Sequence, residues 1–132
     1  VTPRRRGTVD TVITDTVLAI TPRGRWKFFS LRRRLEIPHA AVISARVVPD
    51  PTLVVPVRIR VGGTGTLTLR AGYMRGRTGR SWWCYRYGQP AVVVTVDLPR
   101  LTDLVIITDD NAATVDALSA RRGNAVSSAE QA

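Results

Sequence analysis

Cysteine occurs once, as Cys84, lysine once, as Lys27, and histidine once, as His39. A lone thiol excludes an intramolecular disulfide and a multi-cysteine zinc site, and it suits a reducing compartment. A lone histidine excludes the paired-histidine spacing of zinc enzymes, and the acidic residues show no clustered spacing that would complete a site around it. Acidic residues are scarce: 10 Asp and Glu stand against 20 Lys and Arg, for a net charge of +10 over 132 residues. No apolar run approaches the roughly 20 residues that a membrane-spanning helix needs. Pro3-Arg4-Arg5-Arg6 is basic, but Asp10 and Asp15 interrupt the apolar stretch after it, which is not the build of a secretory signal. The expectation is a soluble cytoplasmic protein whose membrane contact, if any, is peripheral and at the inner face.

What is present is globular in composition, with 44% hydrophobic and 23% charged residues. The length fits one domain with a short basic arm over 1–8, a folded part over 9–123 and a small polar tail, NAVSSAEQA, over 124–132. The charge exceeds the magnitude of about 2–8 common in small domains and favours anionic partners.

Most of the chain reads as strand. Val9 to Thr14 and Val17 to Thr21 are rich in β-branched residues, with Asp15-Thr16 between them as a turn. Trp26 to Ile37 reads as a long basic strand with Phe29, Leu31, Leu35 and Ile37 on one face; Arg33 breaks that face and implies a bulge or an open edge. Pro38-His39-Ala40-Ala41 is a single turn, and Val42 to Val48 is the next strand. Prolines at 49, 51 and 56 make the stretch from Pro49 to Gly65 a long loop with some extended pieces, closed by Gly62-Gly63-Thr64-Gly65. Further strands are expected at Thr66–Met74, Ser81–Tyr87, Ala91–Leu98 and Leu104–Thr108. A helix then begins after Asp109-Asp110-Asn111, with Ala112, Val115 and Leu118 as its apolar stripe, Arg121 and Arg122 in its last turn and Gly123 as its cap. Seven or eight strands followed by one helix predict a mainly β barrel or orthogonal sandwich with a helical plug.

The runs LRRRLEIPHAAVISARVV and RAGYMRGRTGRSWWCYRYGQPAVVVTVDLPRLTDLVIITDDNAATVDAL resemble small bacterial, actinobacterial-type pleckstrin-homology-like (PH-like) proteins of unknown function. The likeness covers roughly Asp10 to Leu118 and is strongest from Gly72-Tyr73 to Asp110. It implies two near-orthogonal antiparallel sheets forming a barrel, capped by one C-terminal helix. It also implies anion binding near the first strands, where Arg23, Arg25 and Lys27 stand, with Arg32 and Arg34 further along.

The chemistry-bearing residues favour binding over catalysis. Arg80 and Arg86 flank Cys84, but no general base accompanies it, so core packing of one row of SWWCY is the simpler reading. Asp109 and Asp110 fit helix capping better than a metal pair. GGTGT lacks the lysine and following helix of a phosphate loop. No paired acid and base, no nucleophile with its base and no cofactor motif is present, so no reaction class is expected.

Arginines crowd two segments. Arg23, Arg25, Lys27, Arg32 and Arg34 share one, with Trp26 and Phe28 beside them as interface aromatics, and Arg75, Arg77 and Arg80 share the other. If these meet in space, the protein is a noncatalytic module that docks through an arginine-rich face on an anionic surface, either a membrane leaflet or an acidic protein. Two alternatives remain open: a nucleic-acid-binding basic β-barrel, although no RRM, KH, helix-turn-helix or zinc-finger signature occurs, and a homo-oligomer assembled through edge strands.

Overall fold

The computed structural model describes residues 7–30, 33–66 and 68–120, apart from the side chains of Phe28 and Thr64. The basic start over 1–6, Leu31, Arg32, Leu67, and the expected Arg121, Arg122, Gly123 and polar tail lie outside the described residues. Strands β1 (Val9–Ile13), β2 (Val17–Pro22) and β3 (Leu35–Pro38) form a three-stranded antiparallel sheet in that order. Strands β4 (Val42–Val48), β5 (Ile59–Gly65), β6 (Leu69–Gly76), β7 (Gly79–Arg86), β8 (Ala91–Leu98) and β9 (Leu101–Ile106) form a six-stranded sheet in the order β4-β8-β9-β7-β6-β5. A helix over 111–120, here α2, follows β9.

The structure is mainly β with one C-terminal helix, as expected, but it corrects three details. The described strands number nine, not seven or eight. They do not close into a barrel, because β3 pairs only with β2 while β4 and β5 are the outer strands of the larger sheet. The larger sheet is also mixed: β9 inserts between β8 and β7 and runs parallel to β7, with Ser81 opposite Asp103 and Cys84 opposite Ile106.

Both faces of the larger sheet's central strands β7, β8 and β9 are buried, which explains why they read as nearly continuous apolar runs. On one face Trp82, Cys84, Val92, Val94, Leu104 and Ile106 pack with Leu18, Ile20, Leu35 and Ile37 of the smaller sheet and with Leu118 of α2. On the other, Trp83, Tyr85, Val93, Val105 and Ile107 pack beneath Val55 of the segment between β4 and β5. Sequence alternation in SWWCY suggested that one row would be core. In fact Trp82 and Trp83 are both fully buried.

Local structure departs from the sequence reading in two stretches. The first turn of the supposed long strand is a short helix, α1 (Trp26–Phe29), held by hydrogen bonds from the Phe29 amide to the Arg25 carbonyl and from the Ser30 amide to the Trp26 carbonyl. Helical spacing lets Trp26 bury its ring edge-on to Phe29 and under the Arg86 guanidinium, and that packing overrides the period-two pattern. Among the described residues of that stretch, Leu35 to Pro38 remain strand, with Leu35 and Ile37 facing inward as the alternation indicated.

The glycine-rich stretch is the second departure. Gly62 to Gly65 belong to β5 rather than to a loop, and Gly63 lies opposite Gly72 on β6. A Cβ on Gly72 would sit 2.3 Å from the Gly62 carbonyl oxygen, so the close approach of two backbones requires glycine there.

α2 starts as expected but on one aspartate. The Asp110 carboxylate accepts from the Ala113 amide at 3.0 Å, which is the N-cap bond. Its buried side is Leu118 with Thr114 and, in part, Val115, while Ala112 is exposed and not part of the stripe. No helix among the described residues is long and apolar enough to cross a membrane.

Candidate anion-binding groove

The parallel pairing of β7 with β9 decides which loops meet. It brings the start of β7, just after the Gly76–Gly79 hairpin, beside the start of β9, just after the Pro99-Arg100 turn. Thr102 fixes that junction by donating its hydroxyl to the Arg80 carbonyl at 3.0 Å. At this end the edge of β3 lies across from the larger sheet, and a groove of about 570 Å³ opens between them. Arg34, Leu35, Glu36 and Ile37 line one wall, and Tyr73, Arg80 and Arg100 line the other. A second depression of about 320 Å³ shares Arg80 and Arg100 with it and adds Arg75.

The electrostatics of this end are one-sided. Arg75 and Arg80 are direct cross-strand partners on β6 and β7. Like charges placed directly opposite destabilise a sheet, so the pair is costly in the absence of an anion. The lining carries one carboxylate, Glu36, and it is bound to Arg34 at 3.0 Å. Among the described residues Arg75, Arg80 and Arg100 form no ion pair. Asp103, next to the Thr102 junction, accepts instead from the Thr95 hydroxyl at 3.2 Å.

The structure therefore gathers Arg34, Arg75 and Arg80 of the expected binding residues, with Arg77 exposed in the adjoining hairpin turn. The other group is elsewhere. Arg86, which covers Trp26, lies at the opposite end of β7 from Arg80, about 20 Å away at roughly 3.3 Å per residue. Arg25 and Lys27 are exposed beside Trp26 at that far end. Trp26 itself is 7% exposed and belongs to the core, not to an open interface. Arg32 and the Phe28 side chain fall outside the described residues.

Arg23 is spoken for within the chain. Its guanidinium bonds Asp10 and makes two hydrogen bonds to Asp109, at 2.7 and 2.8 Å. Those bonds, Asp109 first and Asp10 second, raise its pKa further above the ordinary arginine value. Asp109 also accepts from the Gly7 amide at 2.8 Å, so it is a tie between β1, β2 and the start of α2 rather than a cap.

Arg100 was missed in the sequence because it stands alone between Pro99 and Leu101, away from both basic runs. Only the pairing of β9 with β7 brings it to Arg80. Arg58, Arg60 and Arg70 were also overlooked; they border a smaller depression of about 190 Å³ at the β5 edge. There Arg70 lies 4.7 Å from the Trp83 ring centroid and 5.6 Å from that of Tyr87.

The thiol has no reactive setting. Cys84 is fully buried, and burial pushes its pKa up to about 12 against a weaker opposing bond from Ser30. His39 donates from Nε2 to the Thr14 carbonyl, 2.7 Å away, as part of the turn before β4. No group of three potential metal ligands occurs among the described residues. The chain matches no family model, no curated protein and no solved structure.

Proposed function

We propose that this chain is a noncatalytic binding module of the PH-like kind that docks on an anionic partner through the groove between β3 and the starts of β7 and β9. The observation that carries this reading is the direct pairing of Arg75 with Arg80, flanked by Arg100 and Arg34, in a concavity whose one carboxylate is already bound. Such a cluster is stabilised by an incoming anion, because each bound carboxylate or phosphate removes like-charge repulsion as well as adding charge-assisted hydrogen bonds. Strand pairing sets the backbones of Arg75 and Arg80 opposite each other before binding, which lowers the ordering cost.

A single-strand nucleic-acid platform draws less support. It needs exposed aromatic faces for base stacking, whereas Trp26, Trp82, Trp83 and Tyr85 are all buried. Co-sedimentation with anionic vesicles and fluorescence binding to polyglutamate, each at low salt, test the proposal. Arg80→Glu combined with Arg100→Glu is expected to weaken the wild-type interaction with the preferred probe at least tenfold. Undiminished binding by that variant to both probes overturns the assignment of the groove.

A further inference from the structure

We infer that the anionic partner is an extended acidic peptide segment that adds as a strand to the free edge of β3. This rests on the groove being the binding site and names what enters it. β3 pairs with β2 through Leu18–Ile37 and Ile20–Leu35, and among the described residues no strand pairs with its other edge. Successive residues of a strand point to opposite faces. Yet Arg34, Leu35, Glu36 and Ile37 all line the groove, so the groove follows the backbone edge instead of one face of the sheet.

Leu35 and Ile37 turn their backbone groups to β2, so over about 13 Å of strand the free edge presents the Glu36 amide and carbonyl and the Pro38 carbonyl. Main-chain pairing there supplies affinity, and alternate side chains of the added strand supply selectivity. The facing wall offers both kinds of contact. Arg80 and Arg100 suit carboxylates, and Tyr73 with Leu98 suits apolar side chains. The volume of about 570 Å³ falls in the range of specific ligand sites.

A lipid leaflet fits this site less well. The arginines line a concavity between two sheets, and the Trp26 ring that would insert into a bilayer is buried at the opposite end of β7. The occupant is therefore a strand with alternating acidic and apolar residues.

The test uses the full chain and a fluorescein-labelled octapeptide of alternating aspartate and valine. Binding is expected to weaken at least tenfold for a block peptide of the same composition. It is also expected to weaken at least tenfold when the peptide amides of one parity are N-methylated, and to change less than threefold when the other parity is methylated. In the unmodified protein, amide exchange at Glu36, whose amide faces the free edge, is expected to slow at least tenfold on binding, with Leu35 and Ile37, already paired to β2, changing less. If the block and both methylated peptides bind as well as the parent and β3 exchange is unchanged, while Arg80→Glu with Arg100→Glu still abolishes binding, strand addition is overturned and the anionic groove stands. Binding to phosphatidylcholine–phosphatidylglycerol vesicles with none to the peptide also overturns it, in favour of a lipid surface. Failure of every anionic probe removes both proposals.

Discussion

The Arg23 guanidinium and the Asp109 carboxylate meet through two hydrogen bonds, at 2.7 and 2.8 Å, across 86 residues of sequence. The pair joins the end of β2 to the entry of α2, and Asp10 completes it from β1. Arg23 is largely covered, with 17% of its side chain exposed, whereas the two carboxylates are more than half exposed. Solvent therefore screens the interaction, and its worth is that of charge-assisted hydrogen bonds, not of a buried ion pair. Arg23→Ala is expected to cost about 1–2 kcal/mol in urea unfolding. In a double-mutant cycle, Arg23→Ala and Asp109→Asn should show a favourable coupling; strictly additive effects would refute the tie.

Cys84 gives a pH dependence of defined sign. Its folded pKa is raised to about 12 from an ordinary value of 9.0. Below pH 9 the thiol is protonated in both states, and its burial is undisturbed. As pH rises through 9 the unfolded chain releases the proton while the folded chain keeps it, so stability falls toward pH 12 by on the order of 1 kcal/mol per pH unit. Tyr85, raised chiefly by burial and next by Asp50, adds a decline of the same sign above its own ordinary value of 10.0. Between pH 9 and 10 the slope belongs mainly to the thiol, and Cys84→Ala should flatten it in thermal unfolding. An equal slope in both proteins contradicts the assignment.

The glycines separate steric contact from backbone strain. Gly72, at φ 102°, has the Gly62 carbonyl where a Cβ would go, whereas Gly88, at φ 84°, has nothing within 4 Å of that position. Gly88→Ala is expected to cost about 1–2 kcal/mol from the left-handed conformation alone. Gly72→Ala carries the same strain plus a collision between β5 and β6, and it should lower the melting temperature further than Gly88→Ala. The reverse order would show that the two strands can move apart freely.

Much of the fold was legible because the signals are local. Val42–Val48 and Ala91–Leu98 match their strands residue for residue, since β-branched runs ended by proline leave little choice. The helix start was legible too, although which aspartate caps was not: Arg23 claims Asp109 and leaves Asp110 to the Ala113 amide. The misreadings share one physical cause, long-range packing. Trp26 finds its place under Arg86, so its segment turns helical. Gly63 finds Gly72, so a loop-like composition pairs as a strand. The groove was half visible, as Arg34, Arg75 and Arg80. Its completion by Arg100 depends on the parallel pairing of β7 with β9, which no local pattern encodes.

The position of the arginines, rather than their number, should govern anion binding. Arg80→Glu with Arg100→Glu and Arg25→Glu with Lys27→Glu carry the same net charge, so a purely global attraction weakens equally in both. Arg80 and the Trp26 end of the molecule are about 20 Å apart along β7, more than two screening lengths of roughly 8 Å at physiological salt. Polyglutamate binding measured at 0.15 M salt, a concentration chosen for that screening, is expected to fall at least tenfold in the first variant and less than twofold in the second. The first variant should also show a shallower dependence of affinity on salt, because fewer guanidinium groups are neutralised in its complex. Equal losses in the two variants would mean that net charge acts at a distance and that the groove confers no selectivity.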